Sequence, residues 1–169
     1  GRRARVAPTD GRDRAAAQAT EATLARALLA AIVTVPVSTS SSGFTYRLNP
    51  ALGTVEPTWD GRKLAFAQKP NAADEAVLHV MDVDSGEWSQ VDVIPGGKYA
   101  SPKWTPDGKA FYYEWLPVDP SIPVDQRPGY TEIRLHKLGT DPKTDAVVHP
   151  RLGDPTTFLS SDLSRDGKY

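Results

Sequence analysis

An all-β fold is predicted: a partial β-propeller of about two four-stranded antiparallel blades plus the start of a third, with an N-terminal α-helix. Three observations predict it. The same phrase recurs three times, as Thr58-Trp59-Asp60-Gly61-Arg62-Lys63, Trp104-Thr105-Pro106-Asp107-Gly108-Lys109 and Leu163-Ser164-Arg165-Asp166-Gly167-Lys168. An Asp-Gly pair between apolar runs signals a hairpin, because glycine takes positive φ without a Cβ clash and the aspartate caps the turn. The steps between the aspartates, 47 and 59 residues, bracket the length of a propeller blade. Punctuation is dense, with 15 Pro and 13 Gly, as many short strands joined by tight turns require. Since 169 residues hold only two and a half blades, the chain reads as a piece of a larger protein.

Residues 1–14 read as a basic disordered tail, with Arg2, Arg3, Arg5, Arg12 and Arg14 against Asp10 and Asp13. Residues 15–35 read as an Ala-rich helix in which Leu24, Leu28 and Ala31 recur at helical spacing, ended by Pro36. A second reading makes the arginines and residues 27–37 the charged and apolar regions of a signal peptide. The first reading implies a cytoplasmic protein, the second a periplasmic or secreted one. Residues 36–49, with the serine run 38–42, form a linker to the partial propeller of residues 50–169.

Within that region, the first unit is expected to have strands at 55–59, 63–68, 77–83 and 88–94. In the third of these, Val77, His79, Met81 and Val83 share one face, and Leu78 and Val80 share the other. Both faces are apolar, as a sheet sandwiched between neighbours needs. The second unit repeats the plan at 99–104, 109–115, 130–137 and 145–149, with its extra length in the proline-rich loop 117–128. Residues 157–163 open a third unit. Such a fragment leaves sheet edges open, so self-association is expected.

Chemistry is sparse. A net charge of -1 supplies no drive toward nucleic acid or anionic lipid, and neither is expected as a partner. Without cysteine there are no disulfides, thiolate metal sites or thiol nucleophile. Asp82-Val83-Asp84-Ser85-Gly86-Glu87 suggests a calcium loop, but the glycine falls fifth and Val93 stands twelfth, so a capped β-turn is the better reading. His79, His136 and His149 lie in separate strands without metal-ligand spacing, and no metal or cofactor is expected. No G-x-S-x-G elbow or phosphate loop is present. The aromatic residues Trp104, Phe111, Tyr112, Tyr113 and Trp115 read as packing between sheets, with a ligand-stacking platform as the alternative.

Three stretches carry a sharper likeness: Val77-Leu78-His79-Val80-Met81-Asp82-Val83, Gly97-Lys98-Tyr99-Ala100-Ser101-Pro102-Lys103-Trp104-Thr105-Pro106-Asp107-Gly108, and Phe111-Tyr112-Tyr113-Glu114-Trp115-Leu116-Pro117. With Arg127-Pro128-Gly129-Tyr130 and Gly153-Asp154-Pro155-Thr156-Thr157-Phe158-Leu159, they resemble the propeller of bacterial prolyl oligopeptidases over residues 50–169. The resemblance implies a two-domain serine peptidase. In it, a seven-bladed propeller restricts access to an α/β-hydrolase domain that cleaves short peptides after proline. Its implied partners are therefore proline-containing peptides and a hydrolase domain beyond these residues. A position matching Tyr99 carries an aromatic side chain near the substrate pocket of relatives, which makes Tyr99 the candidate substrate-binding residue; packing between blades is the alternative. The Ser-Asp-His triad maps onto no residue here, so no catalytic residue is assigned and the chain alone is expected to be inactive. A non-catalytic binding scaffold or a non-functional relic is the alternative function.

Overall fold

The computed structural model of the chain describes residues 51–69, 75–164 and 166–168; the expected tail, helix and linker of residues 1–49 lie outside them. Eight strands form two four-stranded antiparallel sheets, each in sequential order. The first sheet holds β1 (Ala51–Pro57), β2 (Lys63–Lys69), β3 (Val77–Asp82) and β4 (Trp88–Pro95). The second holds β5 (Lys103–Trp104), β6 (Ala110–Trp115), β7 (Glu132–Lys137) and β8 (Ala146–His149). This is the meander of two successive propeller blades.

The registers repeat, with β6 standing 47 residues after β2 as the Asp-Gly phrases do. Leu64 pairs with Met81 and Phe66 with His79 in the first blade. Their counterparts, Phe111 with His136 and Tyr113 with Arg134, pair in the second. In β2, the consecutive residues Leu64, Ala65, Phe66 and Ala67 are all buried, because both faces of the sheet are covered. Ala65, Ala67, Leu78, Val80 and Ile94 pack against Trp104, Phe111 and Tyr113 of the second blade. Leu64, Phe66 and Met81 form a second cluster on the opposite face, joined by Val55, Val83 and Trp88. The division of residues 77–83 between two faces thus follows the predicted alternation. Trp104, Phe111 and Tyr113 are core residues, in edge-to-face contact through Phe111.

The two Asp-Gly hairpins are closed identically. Thr58 Oγ1 donates to Asp60 Oδ1 at 2.7 Å and accepts from Lys63 N, while Arg62 N donates to the same aspartate oxygen. Thr105 Oγ1, Asp107 Oδ1, Ala110 N and Lys109 N repeat the arrangement. Ser164 and Asp166 do so again at the third turn, where Lys168 N donates to both. In each turn the hydroxyl's hydrogen bond is the leading cause that lowers the aspartate's pKa below its ordinary value. Gly61, Gly108 and Gly167 all have positive φ, near 70°. The Asp82-Ser85 segment is likewise a capped turn, with Asp82 Oδ1 accepting from Asp84 N, Ser85 N and Ser85 Oγ.

Four sequence expectations are corrected. Strand β1 begins at Ala51 rather than 55, with a register shift between Leu52 and Val55. Strand β5 has two residues rather than six, because Ser101 N is taken by the Glu114 side chain and Pro102 has no N–H to give the ladder. Tyr130 closes a 3-10 turn, Arg127–Tyr130, instead of opening β7. Residues 157–163 form no strand, since among the described residues no strand follows the third turn to pair with them; Ser161 N goes instead to Glu114.

The seam between blades is polar at both edges. Near the first strands, Trp104 Nε1 donates to Glu56 O at 2.9 Å. Toward the last strands, buried His136 lies between two carboxylates, with Nε2 2.9 Å from Asp92 Oδ1 of β4 and Nδ1 2.9 Å from Asp145 Oδ1. Gly139 N and Ser89 Oγ complete the partners of Asp92, and Tyr113 Oη donates to Asp145 Oδ2 at 2.8 Å. Burial, reinforced by Asp145, drives the Tyr113 phenol pKa well above its ordinary value and keeps it protonated.

Candidate functional site

The antiparallel meander gives each blade two unlike ends. One end carries the Asp-Gly turns and the Asp82-Ser85 turn, short and capped by their own side chains. The other carries long connections: residues 96–102 between β4 and β5, residues 116–131 between β6 and β7, and the segment that follows β8. Long loops held by a rigid scaffold are where recognition residues are placed.

The loop end is tightly fixed where the two blades meet. Gly96, at φ 87°, lies directly against the carbonyl of Leu116, where a Cβ would overlap that oxygen. Its own carbonyl accepts from Leu116 N at 2.9 Å, and Pro95 O accepts from Trp115 Nε1. The proline-rich loop is gathered around Arg127, which donates to Ile122 O and Asp119 O and pairs with Glu75 of the first blade. Gly129 admits the following segment to backbone contact, with Gly153 N donating to Gly129 O.

Beside this seam lies an exposed aromatic pair. Tyr99 is 43% exposed and Phe158 65% exposed, and their rings meet edge to face with centroids 6.0 Å apart. Lys98 Nζ lies 5.4 Å from the Tyr99 ring centroid. The two rings occupy the same place in successive repeats, Tyr99 eight residues before Asp107 and Phe158 eight before Asp166. The structure thus places the predicted Tyr99 at a blade junction while leaving much of its ring open. Phe158 was not singled out from sequence, although its spacing to Asp166 carries the signal.

Beneath the pair, Glu114 is buried to 3% exposure, and its carboxylate reaches both segments. Oε2 accepts from Ser101 N at 2.9 Å; Oε1 accepts from Ser161 N at 2.7 Å and from Ser161 Oγ at 2.8 Å. Two aromatic rings with a cation alongside offer a stacking surface, and so suit binding rather than bond cleavage.

The other sequence candidates sit elsewhere. His79 lies between the rings of Phe66 and Trp88, with centroids 5.7 and 5.2 Å away. His149 Nδ1 is 2.8 Å from Pro150 O. These two and His136 in the seam occupy separate surroundings. Among the described residues no helix is long and apolar enough to cross a membrane.

Comparison with known proteins fits this geometry. Residues 40–169 match the family model described as prolyl oligopeptidase, N-terminal β-propeller domain. Prolyl oligopeptidase A of Galerina marginata is 26% identical over 135 residues, which cover 70% of this chain and 18% of that protein. Dipeptidyl aminopeptidase BI of Pseudoxanthomonas mexicana is 28% identical over 120 residues, covering 70% of this chain and 15% of its own length. A solved structure from a study of two prolyl endopeptidases and their inter-domain dynamics is 54% identical, with a TM-score of 0.70, and the match covers 90% of this chain and 29% of that one. The chain therefore spans less than a third of the length of these relatives. With the match extending over both blades and the third turn, this chain belongs to the prolyl oligopeptidase family, within its N-terminal β-propeller domain.

Proposed function

We propose that the chain supplies part of the gating propeller of a proline-specific serine endopeptidase, which admits short peptides and cleaves them after proline in a separate hydrolase domain. The observation that carries this reading is the exposed Tyr99–Phe158 pair at the loop end of a family propeller. Proline-containing segments are extended and preorganised, and aromatic-lined surfaces accept them at little entropic cost. Tyr99 and Phe158 then contact the peptide, and the blades restrict which substrates reach the peptidase centre.

Two measurements test this. The purified 169-residue chain should leave a fluorogenic Gly-Pro peptide uncut, and cleavage would overturn the assignment of catalysis to another domain. In the full enzyme containing this chain, Tyr99→Ala should raise KM for the same peptide about tenfold with kcat nearly unchanged, the signature of lost uniform binding. An unchanged KM would remove Tyr99 from the contact surface.

A further inference from the structure

The segments bearing Tyr99 and Phe158 are 59 residues apart in sequence, yet one buried carboxylate holds both. Ser101, which donates to Glu114 Oε2, is two residues beyond Tyr99; Ser161, which donates twice to Oε1, is three beyond Phe158. In the first blade the position equivalent to Glu114 is Ala67, and there β1 pairs with β2 as far as Ala51 and Lys69. In the second blade the ladder stops at Lys103, which pairs with Tyr112. A ladder carbonyl serves one neighbouring strand. A carboxylate has two oxygens and enough lone pairs to anchor two segments at once.

We propose that Glu114 is a positioning residue for peptide binding, fixing Tyr99 and Phe158 in edge-to-face contact, a role that rests on the peptide-contact reading of that pair. The exchange of backbone pairing for a buried charge is costly unless every oxygen is satisfied, and here three donors converge on it. Removing the carboxylate frees both segments together, so the rings lose their mutual geometry even where the remaining blade stays folded.

The test follows two signals: the Tyr99–Phe158 ring contact, by NMR of the 169-residue chain, and the affinity for the fluorogenic Gly-Pro peptide, read as KM in the full enzyme that contains it. Glu114→Ala should abolish the ring contact and weaken the peptide about tenfold. Glu114→Gln keeps a single acceptor oxygen and should fall between wild type and Glu114→Ala. Ser161→Ala removes only the hydroxyl donor and should have the smallest effect. Should Glu114→Ala fail to fold, the Gln and Ser161 variants carry the comparison. A purely structural role predicts lower melting temperatures with ring contact and affinity unchanged across the folded variants, and that result overturns the proposal. An unchanged KM for Tyr99→Ala in the full enzyme sinks the peptide-contact reading instead, and the ring contact alone then decides whether Glu114 positions the pair.

Discussion

Where the first blade sets Met81 against Leu64, the second sets His136 against Phe111, and the two pairs occupy the same rungs of the same meander. Met81 and Leu64 lie in a hydrophobic cluster with Phe66. His136 instead bridges Asp92 of the first blade and Asp145 of its own. A second contrast lies three residues further along the same strands, with Ala67 in the first blade and Glu114 in the second. A shared hairpin plan therefore does not dictate the filling. The second blade uses buried polar groups at positions where it must hold something beyond its own sheet: the preceding blade through His136, and two loop-end segments through Glu114.

The sharpest way to break this contrast is His136→Met, which gives the second blade the residue of the first. Methionine fits a comparable volume, but it offers no N–H, leaving Asp92 and Asp145 buried without their bridge. A loss of about 3–5 kcal/mol is expected, as for other broken buried ionic networks. It should appear as a lower urea midpoint at unchanged slope. Adding Asp92→Asn and Asp145→Asn should recover part of the loss, since the three groups act as one unit. A His136→Met chain as stable as wild type would show that apolar packing alone joins the blades.

The converse exchange, Ala67→Glu, puts the carboxylate of the second blade into the first. Gly53 leaves no slack there, as a Cβ on it would already lie 3.2 Å from the Ala67 Cβ. The added carboxylate also lacks the two loop segments that satisfy Glu114. About 3 kcal/mol of destabilisation is expected, read from the same urea transition. If Ala67→Glu were neutral, the loop-end donors would not be what makes Glu114 tolerable.

These exchanges also mark what the sequence could reveal. Strands β2, β3, β4, β6 and β7 were legible because their apolar residues alternate or run continuously between Asp-Gly or Asp-Ser-Gly turns. The turn chemistry was equally legible, being local to five or six residues. The shortening of β5 was not, because it depends on Glu114 drawing the Ser101 N–H away from the ladder, and the absence of a strand at 157–163 was not, because pairing needs a partner strand and none lies beyond the third turn among the described residues. A charged residue inside the run from Phe111 to Trp115 was the available clue. The His136 bridge joins positions 44 residues apart, and no local pattern announces such a pairing. Tyr99 could be nominated by resemblance, whereas Phe158 needed the repeat offset and the fold to become its partner.

The smallest expected effect concerns a third pair of equivalent positions. His79 faces Phe66 in the first blade, and Arg134 faces Tyr113 in the second. Arg134 holds a permanent charge, stacked 3.6 Å from the centre of the Trp115 ring and paired with Glu132 at 2.6 Å. Among the described residues His79 packs on the rings of Phe66 and Trp88, and burial lowers its pKa from the ordinary 6.5. The unfolded chain therefore binds a proton on His79 more readily than the folded chain does. Its contribution is full above about pH 6.5 and is lost as the pH falls below that value toward the lowered folded pKa. Comparing urea midpoints at about pH 7.5 and about pH 5.5 should show a drop in wild type that His79→Phe removes, because phenylalanine keeps the aromatic contact without a titrating nitrogen. Asp60 and Asp82, held below the ordinary carboxylate value of 3.8, titrate under this window. Equal pH dependence in the two proteins would mean that His79 meets solvent as freely folded as unfolded, and the contrast between an apolar first blade and a charged second one would not extend to this rung.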